Sequence, residues 1–362
     1  MSNRDIIVEN LVKRYKGGVT AVDGVSLAVK SGQIYGFLGP NGAGKSTTIK
    51  ILTTLALPTE GRALVGGYDV VNQAGEVRRI AGVALQEIGL DSTMKSLELL
   101  TLQGRLFGFS QQQAFARANE LVELVKLKDA VDRRVGTYSG GMRRRLDLAL
   151  ALVHEPDILF LDEPTTGLDP ASRRDIWEEV RRLNRDLGIT IFLTTQYLEE
   201  ADELADEIAI IAKGKIAVQG SPARLKAAMG AESINLVFDN HDLAEQAAGQ
   251  IGDMAERVQV DRDMLRIYLD HAAQAIPSVV NRLQQVKLNP ISLTLTQPTL
   301  DDVFLQVTGQ RLENEQPTAE VVAQPADRRA AGRNNLRTKG QGHGSGKQRK
   351  KEPSPDPCTS KE

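Results

Sequence analysis

A glycine-rich segment between an apolar run and a helix-forming run constrains the fold of this chain more than any other feature. Residues 39–46 read Gly-Pro-Asn-Gly-Ala-Gly-Lys-Ser and fit the pattern G-x-x-x-x-G-K-[ST]. The apolar run 34–38 before this segment predicts a buried strand, and residues 46–55 after it predict a helix. Backbone N–H groups in such a loop surround phosphate oxygens, and the N-terminus of the following helix favours an anion. An ordinary turn is the alternative, but the flanking strand and helix favour a nucleotide-binding α/β fold.

Two side chains of this loop supply the chemistry that phosphate binding needs. Lys45 places a positive charge near the β- and γ-phosphates, and Ser46 offers a hydroxyl oxygen to Mg²⁺. We therefore expect ATP and Mg²⁺ as ligands. The residues predicted to contact the nucleotide in this segment are Gly39, Asn41, Gly42, Gly44, Lys45, Ser46 and Thr47.

A second phosphate-binding signal lies at residues 138–142, which read Tyr-Ser-Gly-Gly-Met. Ser139 stands where an N-cap belongs, before the helix-forming run 142–153, and Gly140 and Gly141 leave backbone donors open. On this segment alone, a plain helix cap is the favoured interpretation. The presence of the first phosphate loop favours an anion site here as well, but two such sites do not fit one bound nucleotide. The pair of signals indicates an ATPase that works as a dimer.

A third signal is an apolar strand that ends in two carboxylates. Residues 158–163 read Ile-Leu-Phe-Leu-Asp-Glu. Asp162 would hold Mg²⁺ through water, and Glu163 would polarise the water that attacks the γ-phosphate. Paired acids at a strand end more often only solvate the edge of a sheet. Here the phosphate loop needs a metal partner, so the catalytic interpretation is favoured.

A tight turn follows at residues 166–170, before another predicted helix. Asp169 in this turn is placed to cap that helix, and it could also reach across a subunit interface. The cap alone would explain the residue.

Together these motifs resemble the nucleotide-binding subunit of ABC transporters, over residues 4 to about 309. The resemblance implies that Tyr15 stacks on adenine. It implies that Gln86 meets Mg²⁺ and the attacking water, and opens the segment that faces the membrane partner. It also implies a head-to-tail homodimer, in which Ser139 and its glycines close on the γ-phosphate held by Lys45 of the other copy, and separate transmembrane permease subunits.

Three longer segments, residues 138–147, 194–202 and 298–305, are similar to the branch of drug-exporting ATPases that gives resistance to daunorubicin and doxorubicin. The chain departs from the wider family at Met142, where a glutamine is usual, and at Gln196, where a switch histidine is usual. A glutamine amide can hydrogen-bond to a γ-phosphate but cannot take on a positive charge. We therefore interpret Gln196 as a variant γ-phosphate contact.

The order of predicted elements divides the chain into three parts. Residues 1–220 alternate strand-like and helical segments, which predicts a mostly parallel sheet wrapped by helices, with a helical subdomain at about 87–137. Residues 221–309 read as β-α-β-β-α-β, which predicts a small ferredoxin-like α+β domain. Residues 310–362 contain no aromatic residue and no isoleucine and are rich in basic residues, which predicts a disordered tail. Its basic run 347–351 could meet anionic lipid, although such runs are more often only solvated.

Composition agrees with an intracellular protein that has no nucleic-acid partner, and we expect both. The formal net charge is only −2, so the overall charge does not indicate a nucleic-acid partner. No apolar run approaches the length of a membrane span, and the polar start 1–5 does not read as a signal peptide. The single Cys358 excludes an internal disulfide framework. We expect an indirect association with the cytoplasmic face of the membrane through the permease.

The leading hypothesis is an ATP-hydrolysing exporter subunit that drives efflux of a drug-like or other amphipathic compound. The runner-up is a soluble ABC ATPase that uses ATP-driven dimerisation for another purpose, although the chain has neither a second cassette nor a long coiled coil. A catalytically weak regulatory cassette is a third interpretation, which Lys45 and Glu163 argue against. Lipid, polysaccharide and peptide cargoes stay open, because the membrane subunit recognises the substrate.

Overall fold

The structure is a computed structural model that describes residues 4–86, 89–229, 232–269 and 271–308. The predicted tail 310–362, with Cys358, lies outside the described residues. The strands are β1 (Ile6–Arg14), β2 (Thr20–Val29), β3 (Ile34–Leu38), β4 (Glu60–Val65), β5 (Tyr68–Asp69), β6 (Ala81–Ala84), β7 (Ile158–Asp162), β8 (Thr190–Thr195), β9 (Glu207–Ala212), β10 (Lys215–Gly220), β11 (Glu232–Val237), β12 (Arg257–Asp261), β13 (Met264–Leu269) and β14 (Ser292–Thr296). The α-helices are α1 (Lys45–Leu52), α2 (Ala74–Ile80), α3 (Ser96–Leu106), α4 (Gln111–Leu124), α5 (Gly140–Ala151), α6 (Pro170–Leu187), α7 (Leu198–Leu204), α8 (Pro222–Ala227), α9 (His241–Ile251), α10 (Ala272–Gln285) and α11 (Leu300–Thr308).

A six-stranded sheet in the order β10-β9-β3-β8-β7-β6 forms the centre of the ATP-binding part. Its strands pair in parallel except β10, which runs antiparallel to β9 at one edge. Every residue of β3, β7 and β8 is buried, because other elements cover both faces of this sheet. The mostly parallel sheet predicted from the sequence is therefore present. The carboxyl ends of β3, β6, β7 and β8 lie at one edge, where the predicted site residues follow them.

The first strands form a second sheet that the sequence analysis did not separate from the parallel one. It is antiparallel, in the order β2-β1-β4-β5. In β2 buried and exposed residues largely alternate, as expected for a sheet with one face on a core. The sequence analysis predicted a mostly parallel sheet within residues 1–220 and did not predict this second sheet, because alternation of strands and helices alone does not reveal which strands pair.

The helical segment contains α3 and α4, and α5 packs against both of them. Leu100, Leu121 and Val125 of this segment are fully buried and belong to its core. The helix predicted over residues 46–55 is shorter than expected: α1 ends at Leu52.

The last part of the chain has the predicted element order, β11-α9-β12-β13-α10-β14. Its strands form an antiparallel sheet in the order β12-β13-β11-β14, and α9 and α10 pack on that sheet. The sequence analysis did not predict α11. This helix buries Leu300, Val303 and Phe304 in a cluster with residues of β9 and α7, so it packs on the ATP-binding part.

Within the described residues, none of the helices combines the length and the apolar character needed to cross a bilayer.

Candidate active site

The glycine-rich segment forms the turn between β3 and α1 that the sequence predicted. Gly44 precedes the helix with a φ of 113°, in the left-handed region that favours glycine. A Cβ atom there would lie 2.3 Å from the carbonyl oxygen of Ala21, and one at Gly39 would lie 2.4 Å from that of Ile211. Only glycine fits at these two positions, so the loop can fold tightly enough for its amides to surround a phosphate.

Lys45 is the first residue of α1 and points back over the loop. Its Nζ donates to the carbonyl oxygens of Gly39 at 2.7 Å and Pro40 at 3.2 Å. The same atom lies 3.2 Å from Glu163 Oε1, and both side chains are 4% exposed. A buried ammonium needs such partners, because an unpaired buried charge is costly. The phosphate loop and the end of β7 are thus joined by an ion pair.

Asp162 and Ser46 form a cluster of oxygen atoms beside this pair. Ser46 Oγ donates to Asp162 Oδ1 at 3.2 Å, and Thr194 Oγ1 donates to the same oxygen at 2.5 Å. Asp162 is buried. Hydroxyl and carboxylate oxygens are the ligands that Mg²⁺ prefers, so the donor set fits the predicted metal.

Glu163 is the residue on which the other predicted groups converge. Its backbone has a φ of 48°, and its N–H donates to the carbonyl oxygen of Thr194 at 3.1 Å. Its Oε2 accepts from Gln86 Nε2 at 3.2 Å and from Thr166 Oγ1 at 3.2 Å. The tertiary structure therefore brings Lys45, Gln86 and Glu163 together.

The Ser139 segment is built as a helix cap. Ser139 Oγ accepts from the amide of Met142 at 3.2 Å at the start of α5. A Cβ atom at Gly141 would lie 3.0 Å from Ser172 Oγ, so the loop packs closely on the start of α6. Within the described part of the chain, no hydrogen bond joins Ser139 to Lys45, so the two predicted phosphate sites do not form one cluster in a single copy.

Asp169 caps α6 as predicted. Its Oδ1 accepts from the amides of Ala171 and Ser172, and its Oδ2 accepts from Ser172 Oγ at 2.6 Å. These hydrogen bonds, the hydroxyl first, hold the pKa of Asp169 below its ordinary value. Its predicted contact across a subunit interface stays a prediction.

Tyr15 and Gln196 lie outside the hydrogen-bonded cluster. Tyr15 follows β1 and is 43% exposed, with Lys13 Nζ 5.2 Å from the centre of its ring. Gln196 follows β8 and is partly buried. Among the described residues, no hydrogen bond of the Gln196 amide is seen. The expected contacts of Tyr15 with adenine and of Gln196 with the γ-phosphate stay predictions.

Sequence reasoning missed Thr194 and Thr166, whose hydroxyls hold Asp162 and Glu163. Both lie in segments that the sequence analysis used to assign other residues, Asp169 and Gln196. Thr194 could have been found from its position at the carboxyl end of β8, because parallel strands that share a sheet end at the same edge.

This combination of a strand-loop-helix phosphate loop and a neighbouring strand that ends in Asp162 and Glu163 defines a P-loop ATPase. Residues 22–166 match the family ABC transporter, and residues 220–308 match the family ATP-binding protein DrrA1-3-like, C-terminal domain. Two curated relatives are similar along nearly their full length. The daunorubicin/doxorubicin resistance ATP-binding protein DrrA of Streptomyces peucetius is 45% identical over 84% of this chain and 93% of its own. The linearmycin resistance ATP-binding protein LnrL of Bacillus subtilis is 34% identical over 84% and 99%.

A solved structure has the same fold. It is a dimeric ATP-binding cassette in a post-hydrolysis state, bound to ADP and Pi. It is 26% identical, with a TM-score of 0.55, and covers 60% of this chain and 98% of its own. The chain belongs to the ABC transporter family and is an ATP-binding and hydrolysing subunit of its exporter branch. The resemblance read from the sequence is confirmed.

Proposed function

We propose that two copies of this chain close head to tail on two molecules of MgATP and drive a separate membrane permease that exports a drug-like or other amphipathic compound. The observation that carries the proposal is the convergence on Glu163, where Lys45 and Gln86 contact one carboxylate next to Asp162. The names of the two curated relatives both refer to resistance against a compound, which favours export of such a cargo.

The proposed roles of the site residues follow from their contacts. The loop amides of Gly39, Asn41, Gly42, Gly44, Lys45, Ser46 and Thr47 bind the phosphates, and Tyr15 stacks on adenine. Ser46, Gln86 and Asp162 would hold Mg²⁺, which when bound would neutralise charge on the phosphate oxygens. Glu163 orients the attacking water and accepts its proton, and Gln196 contacts the γ-phosphate.

A phosphate in the loop competes with Glu163 for Lys45. In the structure the ammonium is shared between loop carbonyls and Glu163 Oε1. A γ-phosphate carries more charge than a carboxylate, so it draws Lys45 away and leaves Glu163 free to accept a proton from water. The ion pair would then keep the base occupied until substrate arrives.

The head-to-tail arrangement is supported by the separation of the two phosphate signals. Ser139 caps α5 with the amides of Gly140 and Gly141 at the helix start, where an anion is favoured. The loop makes no hydrogen bond to Lys45 within the described residues. A second copy would bring its own Ser139 loop to this site, and Asp169 near the same surface would contribute to the interface.

We keep the domain boundaries predicted from the sequence as part of the proposal. Residues 1–220 form the ATP-binding domain, with a helical subdomain at about 87–137 that faces the permease, and residues 221–309 form the accessory domain. We place the assembly on the cytoplasmic face of the membrane, held there by the permease.

The test is to express the chain with its candidate six-span membrane subunit and measure both copurification and cellular efflux of a fluorescent anthracycline. The wild type should lower the cell content of the compound, and Glu163→Gln should raise it to the level of cells without the transporter while still binding ATP. Glu178→Gln, on the exposed face of α6, is the matched control and should behave as wild type. An ATPase that never copurifies with a membrane subunit would favour the non-transport alternative. Efflux that persists in Glu163→Gln would remove the proposed catalytic role.

A further inference from the structure

A buried arginine of α5 donates hydrogen bonds to the backbone on both sides of Glu163. Arg144 is 2% exposed. Its Nε donates to the carbonyl oxygen of Pro164 at 2.9 Å, and its Nη2 donates to that of Asp162 at 3.1 Å. Asp162 and Pro164 are the two chain neighbours of Glu163. One planar group therefore fixes the residues from which the Glu163 side chain projects.

The same guanidinium reaches the end of β6. Its Nη1 donates to the carbonyl oxygen of Leu85 at 2.7 Å. Leu85 directly precedes Gln86, whose amide donates to Glu163 Oε2 at 3.2 Å. Arg144 thus links the backbone that carries Gln86 to the backbone that carries Glu163, beyond the last paired residues of β6 and β7.

Asp147, one turn further along α5, orients the guanidinium. Its Oδ2 accepts from Arg144 Nη1 at 2.9 Å. Burial lowers the pKa of Arg144, and the nearby Asp147 opposes this shift. Burial also raises the pKa of Asp147 to about 6, against the effect of Arg144. Burial of this ion pair costs desolvation energy, which the hydrogen bonds of the Arg144 guanidinium offset. The planar guanidinium can donate in several directions at once.

We propose that Arg144 is a positioning residue for ATP hydrolysis, which holds Glu163 and Gln86 in register through the backbone carbonyls of Leu85, Asp162 and Pro164. The proposal rests on the proposed catalytic role of Glu163. Glu163 needs such support because its φ of 48° is sparsely populated for a residue with a side chain. A lysine could not replace the arginine, since a single ammonium nitrogen cannot donate at once to three carbonyl oxygens at the ends of two strands.

The first experiment compares Arg144→Lys with wild type in the full-length chain. We expect kcat to fall roughly 10- to 100-fold, as for a misplaced catalytic group, while the Kd for ATP changes by less than about 3-fold. Arg117→Lys is the matched control. Arg117 also donates to two backbone carbonyls, those of Leu152 and Val153, and pairs with Glu120, at the other end of α5. The control should keep kcat within about 2-fold of wild type.

A double-mutant cycle separates positioning from general destabilisation. Single-turnover hydrolysis is measured for Arg144→Lys, for Glu163→Gln and for the two combined. If Arg144 acts through Glu163, then Arg144→Lys should lower the residual rate of Glu163→Gln by clearly less than it lowers the wild-type rate, and the remaining loss measures its effect on Gln86. The full loss appearing again in the Glu163→Gln background would overturn the proposal.

The outcomes also separate this inference from the proposed function. A stalled Glu163→Gln together with a normal kcat in Arg144→Lys overturns only the role of Arg144. A normal rate in Glu163→Gln removes the base itself, and the positioning role falls with it.

A second pair of variants covers the case in which Arg144→Lys does not fold, as judged by thermal unfolding. Asp147→Asn keeps the side-chain shape and removes the charge that orients the guanidinium, so kcat should fall severalfold at unchanged ATP affinity. Glu120→Gln, which alters the partner of Arg117, should leave kcat unchanged. An unchanged kcat in Asp147→Asn would then overturn the proposal.

Discussion

Glu163 is a strained backbone position and also the proposed catalytic base, and strained positions of this kind cluster at active sites. Its left-handed φ costs on the order of 1–3 kcal/mol for a residue of this type. The cost is offset by the hydrogen bond from its N–H to Thr194, by the Arg144 contacts on either side and by the ion pair with Lys45. This backbone conformation places the carboxylate at the end of β7, next to Lys45 of the phosphate loop.

Gln196 is where the chain departs most clearly from the general family pattern, and its amide provides a prediction. If the amide donates to the γ-phosphate as the site closes, Gln196→Ala should lower kcat severalfold and change ATP affinity little. Gln196→His should keep partial or full activity and add a pH dependence near neutrality, because histidine titrates there and an amide does not. The measurement is the ATPase rate against pH for the permease-bound wild type and both variants. Equal kcat for Gln196→Ala and wild type at every pH would show that the residue is not a γ-phosphate sensor.

At the scale of elements, α11 links the accessory domain to the ATP-binding domain. A nine-residue helix is too short to be stable alone, so its stability comes from packing. Leu300, Val303 and Phe304 supply that packing, and the cluster includes Leu198 and Ala201 of α7. Since α7 begins two residues after Gln196, the last described helix supports the element that follows the proposed phosphate contact.

Removing the largest of these contacts should loosen α11. Phe304 is 1% exposed, so Phe304→Ala should cost up to about 3 kcal/mol, limited by the free energy with which the helix is docked. Amide hydrogen exchange should become faster across Leu300–Thr308, and urea unfolding should report the loss of stability. Leu305→Ala, at a side chain 37% exposed, is the matched control and should cost less than about 1 kcal/mol. Unchanged protection in Phe304→Ala would show that packing on the ATP-binding domain does not hold the helix.

At the scale of the whole molecule, the two separate phosphate signals predict complementation between damaged copies. Lys45→Ala and Ser139→Arg should each be inactive as homodimers, because both composite sites are then defective. In a mixed dimer the two changes fall in one site and leave the other intact. Mixing the purified inactive variants should therefore restore part of the ATPase rate. Mixing each variant with itself at the same total concentration is the control, and no recovery in the mixed sample would contradict the head-to-tail arrangement.

The sequence by itself determined the features that are local along the chain. The phosphate loop, the strand that ends in Asp162 and Glu163, and the caps at Ser139 and Asp169 are each contained in a few consecutive residues. Glycine, proline and capping side chains act within a turn, and apolar periodicity acts within one element, so both can be read without a partner. The β-α-β-β-α-β order of the accessory domain was read in the same way.

The tertiary structure decided what depends on pairing between distant segments. The order β3-β8-β7-β6 brings Lys45, Thr194, Glu163 and Gln86 to one edge, and no local pattern states that order. For the same reason, the sequence analysis did not predict the separate antiparallel sheet or the packing of α11. It also did not predict that Arg144 donates hydrogen bonds to three backbone carbonyls. Such contacts follow from the fit of whole packed surfaces, whose free energy is shared among many residues far apart in the chain.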